Sequence, residues 1–160
     1  MKPFIYLAIV VLLLPLSAHA RLGETESELI ARFGQPDSRS NEYVSAQGNT
    51  FAFCPKLTFR QDDWYINCDM VDGRCVRIAY YKRGDWTEDQ FLTVLTVNAQ
   101  GARWTEVERR QFVREWKRED GTMAHWQAGQ SFFITTPAFE RAKQAAVAKE
   151  NAAVRQIPKL

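Results

Sequence analysis

Proton-transfer chemistry in this chain has little histidine to draw on: only His19 and His125 occur in 160 residues. His125 stands in Met123-Ala124-His125-Trp126. A nucleophilic Cys–His pair or a Cys/His metal site would have to join it to Cys54, Cys68 or Cys75. No C-x-x-C or H-x-x-x-H spacing supports either, and an ordinary strand histidine is expected. The carboxylates are no more suggestive. A calcium loop needs oxygen ligands at alternating positions around a fixed glycine, and Asn67-x-Asp69-x-x-Asp72-Gly73 misses that register. Asp62-Asp63 and Asp72-Gly73 both read as turn chemistry. The chain has no glycine-rich phosphate loop, nucleophile elbow or zinc signature. The expectation is no catalytic residue, no metal and no cofactor.

Binding chemistry has more material. Five tryptophans occur, at 64, 86, 104, 116 and 126. Indole is large and carries a donor, which suits core edges and binding surfaces alike. Trp64, Trp104, Trp116 and Trp126 are the candidate binding residues if the rings form an exposed protein- or glycan-binding platform. Packing of the core is the other use for them. The densest basic run, Arg109, Arg110, Arg114, Lys117 and Arg118, is interleaved with Phe112 and Trp116. Glu106, Glu108, Glu115 and Glu119 dilute it to a solvated, internally paired face, so nucleic acid is not an expected partner.

The first residues read as an address. Phe4 to Leu14 is an apolar run preceded by Lys2 and followed by Ala18-His19-Ala20. It is too short to span a bilayer and ends in a small-x-small cleavage pattern, so residues 1–20 are expected to be a secretory signal peptide. Its removal takes away Lys2 and no acid, leaving 140 residues with 20 Lys and Arg against 19 Asp and Glu, a net charge of +1. Arg21 rather than Cys follows Ala20, so a soluble periplasmic or extracellular protein without a lipid anchor or membrane span is expected. Export exposes thiols to oxidation. With three cysteines, at most one internal bridge forms. Cys68–Cys75, flanking Asp72-Gly73, is the first choice if a bulge near Gly73 restores their parity. Cys54–Cys68 is the rival, and three buried free thiols the remaining alternative.

The elements that would position these residues alternate in type. Thr25 and Glu28 have capping-box spacing ahead of Leu29, Ile30 and Phe33, and Gly34-Gln35-Pro36 stops that helix. Residues 37–50 read as loop with a ragged strand near Tyr43-Val44. Strands follow over Phe51 to Phe59, where Pro55 implies an edge or bulge, then over Trp64 to Met70 and Cys75 to Lys82, in an antiparallel meander. Thr87 and Gln90 cap a second helix within Asp85 to Asn98, with Phe91, Leu92 and Leu95 on one face. Trp104 and Gln111 to Arg118 fit helix or strand. Short strands follow at Met123 to Gln127 and Ser131 to Thr135. Thr136-Pro137 starts a C-terminal helix over Phe139 to Arg155. The fold class expected is α+β: antiparallel meanders packed by helices. Its organisation is residues 21–136 as one domain, made of two degenerate helix-plus-sheet units at about 22–83 and 84–136, then helix and tail at 137–160.

Leu22-Gly23-Glu24-Thr25 with Glu28, Phe33-Gly34 and Pro36 resembles the opening of small exported bacterial domains of the SmpA/OmlA kind. Their fold is similar to that of the β-lactamase inhibitor protein, which sets two helix-plus-sheet units in tandem. The motif covers about fifteen residues and the rest matches by element order. No functional residue is carried across. The expected function is a non-catalytic protein-binding module of the bacterial envelope or extracellular space, whose partner is another envelope or secreted protein. An inhibitor that presents the Asp72-Gly73 region to a hydrolase is the alternative, and an enzyme is the least supported reading.

Overall fold

The computed structural model describes residues 21–46, 48–128 and 131–155. The signal-peptide expectation and the tail after Arg155 lie outside them. The element order is α1 (Glu26–Phe33), β1 (Ser38–Ala46), β2 (Asn49–Gln61), β3 (Trp64–Val71), β4 (Arg74–Lys82), α2 (Glu88–Val97), β5 (Trp104–Arg110), β6 (Val113–Arg118), β7 (Met123–Gln127), β8 (Phe132–Thr135) and α3 (Pro137–Arg155). The class is α+β. All eight strands join one sheet in the order β1-β2-β3-β4-β8-β7-β6-β5, and every adjacent pair is antiparallel. Each helix-and-four-strand run is therefore a meander, and the two meet through their last strands, β4 and β8.

Local chemistry starts both leading helices in the same way. Thr25 and Glu28 form a reciprocal capping box on α1, and Thr87 and Gln90 form one on α2. Each satisfies two amide donors that a helix start leaves orphaned. Alternation then divides the sheet into two faces. The inner face carries Leu57, Phe59, Ile66, Cys68, Ile78, Tyr80, Phe132 and Ile134, which pack with Leu29 and Phe33 of α1 and with Phe91, Val94 and Leu95 of α2. The outer face carries a smaller cluster in which Phe139 of α3 packs on Cys54 and Val76.

Two stretches differ from the sequence reading. Residues 38–46 form a full edge strand, in register from Ser38↔Thr58 to Ala46↔Asn49. Its residues are mostly exposed and polar, so pairing with β2 supplies order that local pattern does not signal. Trp104 to Arg118 is a hairpin, because cross-strand pairing from Trp104↔Arg118 to Arg110↔Val113 settles an ambiguous period. Pro55 sits where β2 has lost one neighbour: it pairs with Asn41 of β1, whereas pairing to β3 begins only at Lys56. Its missing N–H therefore leaves no ladder bond unmade.

Candidate functional site

The four candidate tryptophans lie on the inner side of the sheet. Trp116 is buried, and Trp64, Trp104 and Trp126 are partly buried against the main core. Phe91 of α2 contacts the rings of Trp116 at 5.7 Å and Trp126 at 5.2 Å. Trp86 meets Trp64 edge-on at 5.0 Å. Trp104 donates its indole N–H to the Leu95 carbonyl at 2.8 Å, at the end of α2. Of the two uses open to the tryptophans, core packing is the one these rings take: two helices over one broad sheet need large rings to fill the layer between them, and the tryptophans supply that volume.

Besides Tyr43 and Phe112, which stand in the edge hairpins, the exposed aromatics among the described residues are two tyrosines on the outer face. Tyr65 of β3 and Tyr81 of β4 are directly opposite in the ladder and stand 44% and 36% exposed. Tyr81 meets the Phe133 ring edge-on at 6.2 Å, and the Arg60 guanidinium lies over Tyr65 at 5.6 Å. A depression of about 260 Å³ beside this pair is lined by Arg60, Asp62, Asp63, Lys82 and Arg83 as well as by the two rings. The next row across the sheet, Thr58↔Asn67↔Ala79↔Phe133↔His125↔Glu115, is small, aromatic or polar. His125 bonds Glu115 through Nδ1 at 2.8 Å. Sequence alternation carried the signal for this surface: Tyr65 and Tyr81 are out of phase with Ile66, Cys68, Ile78 and Tyr80.

A third row, Lys56↔Asp69↔Arg77↔Thr135↔Met123, runs beneath α3. Arg77 donates to Glu42 and to Asp69, each at 3.0 Å, and Lys56 pairs with Glu42 at 2.5 Å. Burial pushes the Asp69 carboxyl up to about 6 against the pull of Arg77. Burial, aided by the charges of Asp69 and Glu42, pushes the neighbouring Cys54 thiol up to about 12. A cleft of about 290 Å³ opens alongside, lined among others by Glu42, Tyr43, Arg77, His125, Phe139 and Lys143.

All three cysteines are buried free thiols. Cys68 and Cys75 share the inner core, and Cys75 Sγ donates to the Arg77 carbonyl at 3.5 Å; burial first, then the nearby Cys68 thiol, raises the Cys75 thiol. The parity problem is resolved at Val76, which is left unpaired between Asp69↔Arg77 and Met70↔Cys75. The bulge therefore lies opposite Asp69 and Met70 rather than at Gly73. Cys54 belongs to the outer cluster, so the sheet separates it from Cys68 and the rival pairing has no route. Asp72 and Gly73 form a tight turn with φ of 50° and 73°, and Arg74 after them is tied to the Gly23 carbonyl at 2.9 Å.

The basic run is paired throughout its arginines. Arg109 and Arg114 bridge Glu106 and Glu88, Arg110 pairs with Glu108, and Arg118 with Asp120. Among the described residues, no group of three or more His, Cys, Asp or Glu is arranged to hold a metal ion, and no helix is long and apolar enough to cross a membrane.

No family model matches the chain, and no curated protein matches it. Two solved structures are similar to it in part. One is a cysteine-rich secretory protein from Staphylococcus aureus subsp. aureus Mu50, with 9% identity, a TM-score of 0.40, and coverage of 73% of this chain and 44% of that one. The other is an extracellular protein containing a SCP domain from Bacillus anthracis str. Ames, with 12% identity, a TM-score of 0.41, and coverage of 77% and 46%. This chain spans less than half the length of either.

Proposed function

We propose that this chain is an exported, non-catalytic protein-binding module that engages another envelope or secreted protein through the outer face of its sheet. The Tyr65–Tyr81 pair carries the reading: two large amphipathic rings, adjacent in register and open to solvent, stand on a rigid ladder beside Phe133 and Arg60. Rings held this way bind with little loss of side-chain freedom, and Tyr and Arg are enriched among residues that dominate interface energy.

The reactive groups support the same reading. A thiol held near 12 is no nucleophile at neutral pH, and the Cys68 and Cys75 thiols lie in the core, away from any substrate. His125 is engaged by Glu115. Export rests on the leader pattern of residues 1–20. In an oxidising compartment we infer that Cys68 and Cys75, which share the inner core, are the pair to join, with Cys54 in the outer cluster left free.

The test is comparative capture. The chain and its Tyr65→Ala/Tyr81→Ala variant, both immobilised, are exposed to the envelope and secreted fractions of the producing cell. A protein retained by the parent and lost by the variant, followed by a Kd weakened at least tenfold on purification, is expected. Identical retention by both surfaces would place binding elsewhere and end the assignment to this face.

A further inference from the structure

Helix α3 crosses the outer face over β1 to β4, yet it is held there by little. Phe139 is its only buried side chain among the described residues, while Glu140, Arg141, Lys143, Gln144, Ala145, Ala148 and Lys149 are exposed. Its start is fixed: Thr136 donates from both N–H and Oγ1 to the Val76 carbonyl, at 3.0 and 2.8 Å. Everything after Thr136 is thus held by one buried ring and a thin stripe of half-buried residues, Ala138, Ala142, Ala146, Val147, Glu150 and Asn151. The Phe139 ring rests against Phe53 at 5.3 Å and over the Arg77 guanidinium at 5.1 Å. Arg77 lies also over Phe133, at 4.8 Å.

The carboxylate that pairs with Arg77 beside this ring is poorly satisfied. Asp69 is 2% exposed, gives Oδ2 to Arg77 and has no partner for Oδ1 among the described residues. Removing a carboxylate from water without satisfying both oxygens is unfavourable, and a single cation beside it does not repay the desolvation. Lifting α3, which packs over β3, would open that oxygen to water at the expense of the Phe139 ring and the half-buried stripe behind it.

We propose that α3 is a strap hinged at Thr136-Pro137, seated on Asp69, Arg77 and Phe139, which closes over the outer face when Asp69 is neutral and loosens when Asp69 is charged. Its consequence for binding rests on the proposed docking face, since a closed strap withholds Phe53, Arg77 and the cleft from a partner. The strap itself is read without one.

The sign follows from where the proton sits. With α3 seated, the Asp69 carboxyl titrates at about 6; solvated, it would titrate at about 4. Between these values the closed state binds the proton and the open state does not, so closure weakens as pH rises through this window. From pH 5 to pH 7.5 the closing equilibrium falls about tenfold. Other charged groups face the same seat. From the sheet these are Glu42, Lys56 and Arg77, with the Cys54 thiol beneath and the Tyr43 and Tyr81 hydroxyls at its margins. Across the cleft stand His125, backed by Glu115, and from α3 itself Glu140 and Lys143.

Amide hydrogen exchange on the intact chain, corrected for intrinsic rates, tests this at pH 5 and pH 7.5. Protection of the Ala142 to Asn151 amides is expected to be about tenfold higher at pH 5, with β3 and β4 amides unchanged by comparison. Asp69→Asn should keep acid-like protection of α3 at both values, which separates this carboxyl from Glu42, Glu140 and His125. Phe139→Ala should lower α3 protection at both values while the inner sheet keeps its own. Protection of α3 in the parent that differs by less than twofold, or the full pH dependence surviving in Asp69→Asn, would overturn the strap. Neither outcome bears on the tyrosine face, which the capture experiment reads alone.

Discussion

Asn98 closes more bonds than any other buried side chain at the end of α2. Its Oδ1 accepts the Leu22 N–H at 3.2 Å, and its Nδ2 donates to the Tyr80 hydroxyl at 3.2 Å and to the Val94 carbonyl at 3.0 Å. Its own carbonyl takes a 2.5 Å bond from Arg118. Asn98→Ala strands the Leu22 amide in a dry core and removes the bonds of Nδ2 to the Tyr80 hydroxyl and the Val94 carbonyl, and a loss of about 2–4 kcal/mol is expected in urea unfolding at pH 7. A loss below about 0.5 kcal/mol would mean that these groups find other partners. None of this was legible beforehand, because Asn98 reads in sequence as an ordinary helix stop; its partners lie 76 and 18 residues away. The proposed docking face was half legible for a related reason. Periodicity puts Tyr65 and Tyr81 out of phase with the core residues, but which face a helix covers is a tertiary outcome, and Trp abundance points as readily to a surface as to a core.

At the scale of elements, the strand-to-turn joints carry the charge balance. Beyond β6, Arg118 holds Asp120 through two bonds of 2.9 and 2.6 Å, and Asp120 also accepts the Thr122 amide at 3.0 Å. The Arg118 bonds, followed by that amide, hold the Asp120 carboxyl well below the usual range. Because its folded value is depressed, the group contributes stability that is full above the ordinary carboxylate value, about 4, and is lost as pH falls below it. Urea midpoints measured at pH 7, 4 and 3 should fall more steeply in the parent than in Asp120→Asn, which starts lower at pH 7. Parallel curves would assign the acid sensitivity to other carboxylates. Elements with strong local chemistry were readable from sequence: the two capping boxes, the Asp72-Gly73 turn and the Thr136-Pro137 helix start are all local signals. Strand β1 and the β5–β6 hairpin were not, since the order of both comes from partners far along the chain.

On the scale of the whole molecule, the question is whether the two meanders are one folding unit or two. Four ladder pairs, Arg77↔Thr135 to Tyr80↔Phe132, join them through the backbone. Side chains cross the same seam: Leu22 to Asn98, Tyr80 to Asn98, and Trp64 to Trp86. Leu29 and Phe59 of the first half share one buried cluster with Phe91, Trp116 and Ile134 of the second. Opening either half would expose apolar area belonging to the other, so one cooperative transition is expected. The five tryptophans offer a direct check, because all but Trp64 lie in the second half. Fluorescence thus follows mainly that half, while far-ultraviolet circular dichroism follows both sets of strands. The two melting curves should coincide. Phe59→Ala and Trp116→Ala, placed in opposite halves, should each move that single midpoint down, by about 3–5 kcal/mol in stability. Separate midpoints, with Phe59→Ala shifting dichroism but not fluorescence, would show two units folding side by side, and the Tyr81–Phe133 contact across the seam would then not be a rigid part of a docking surface.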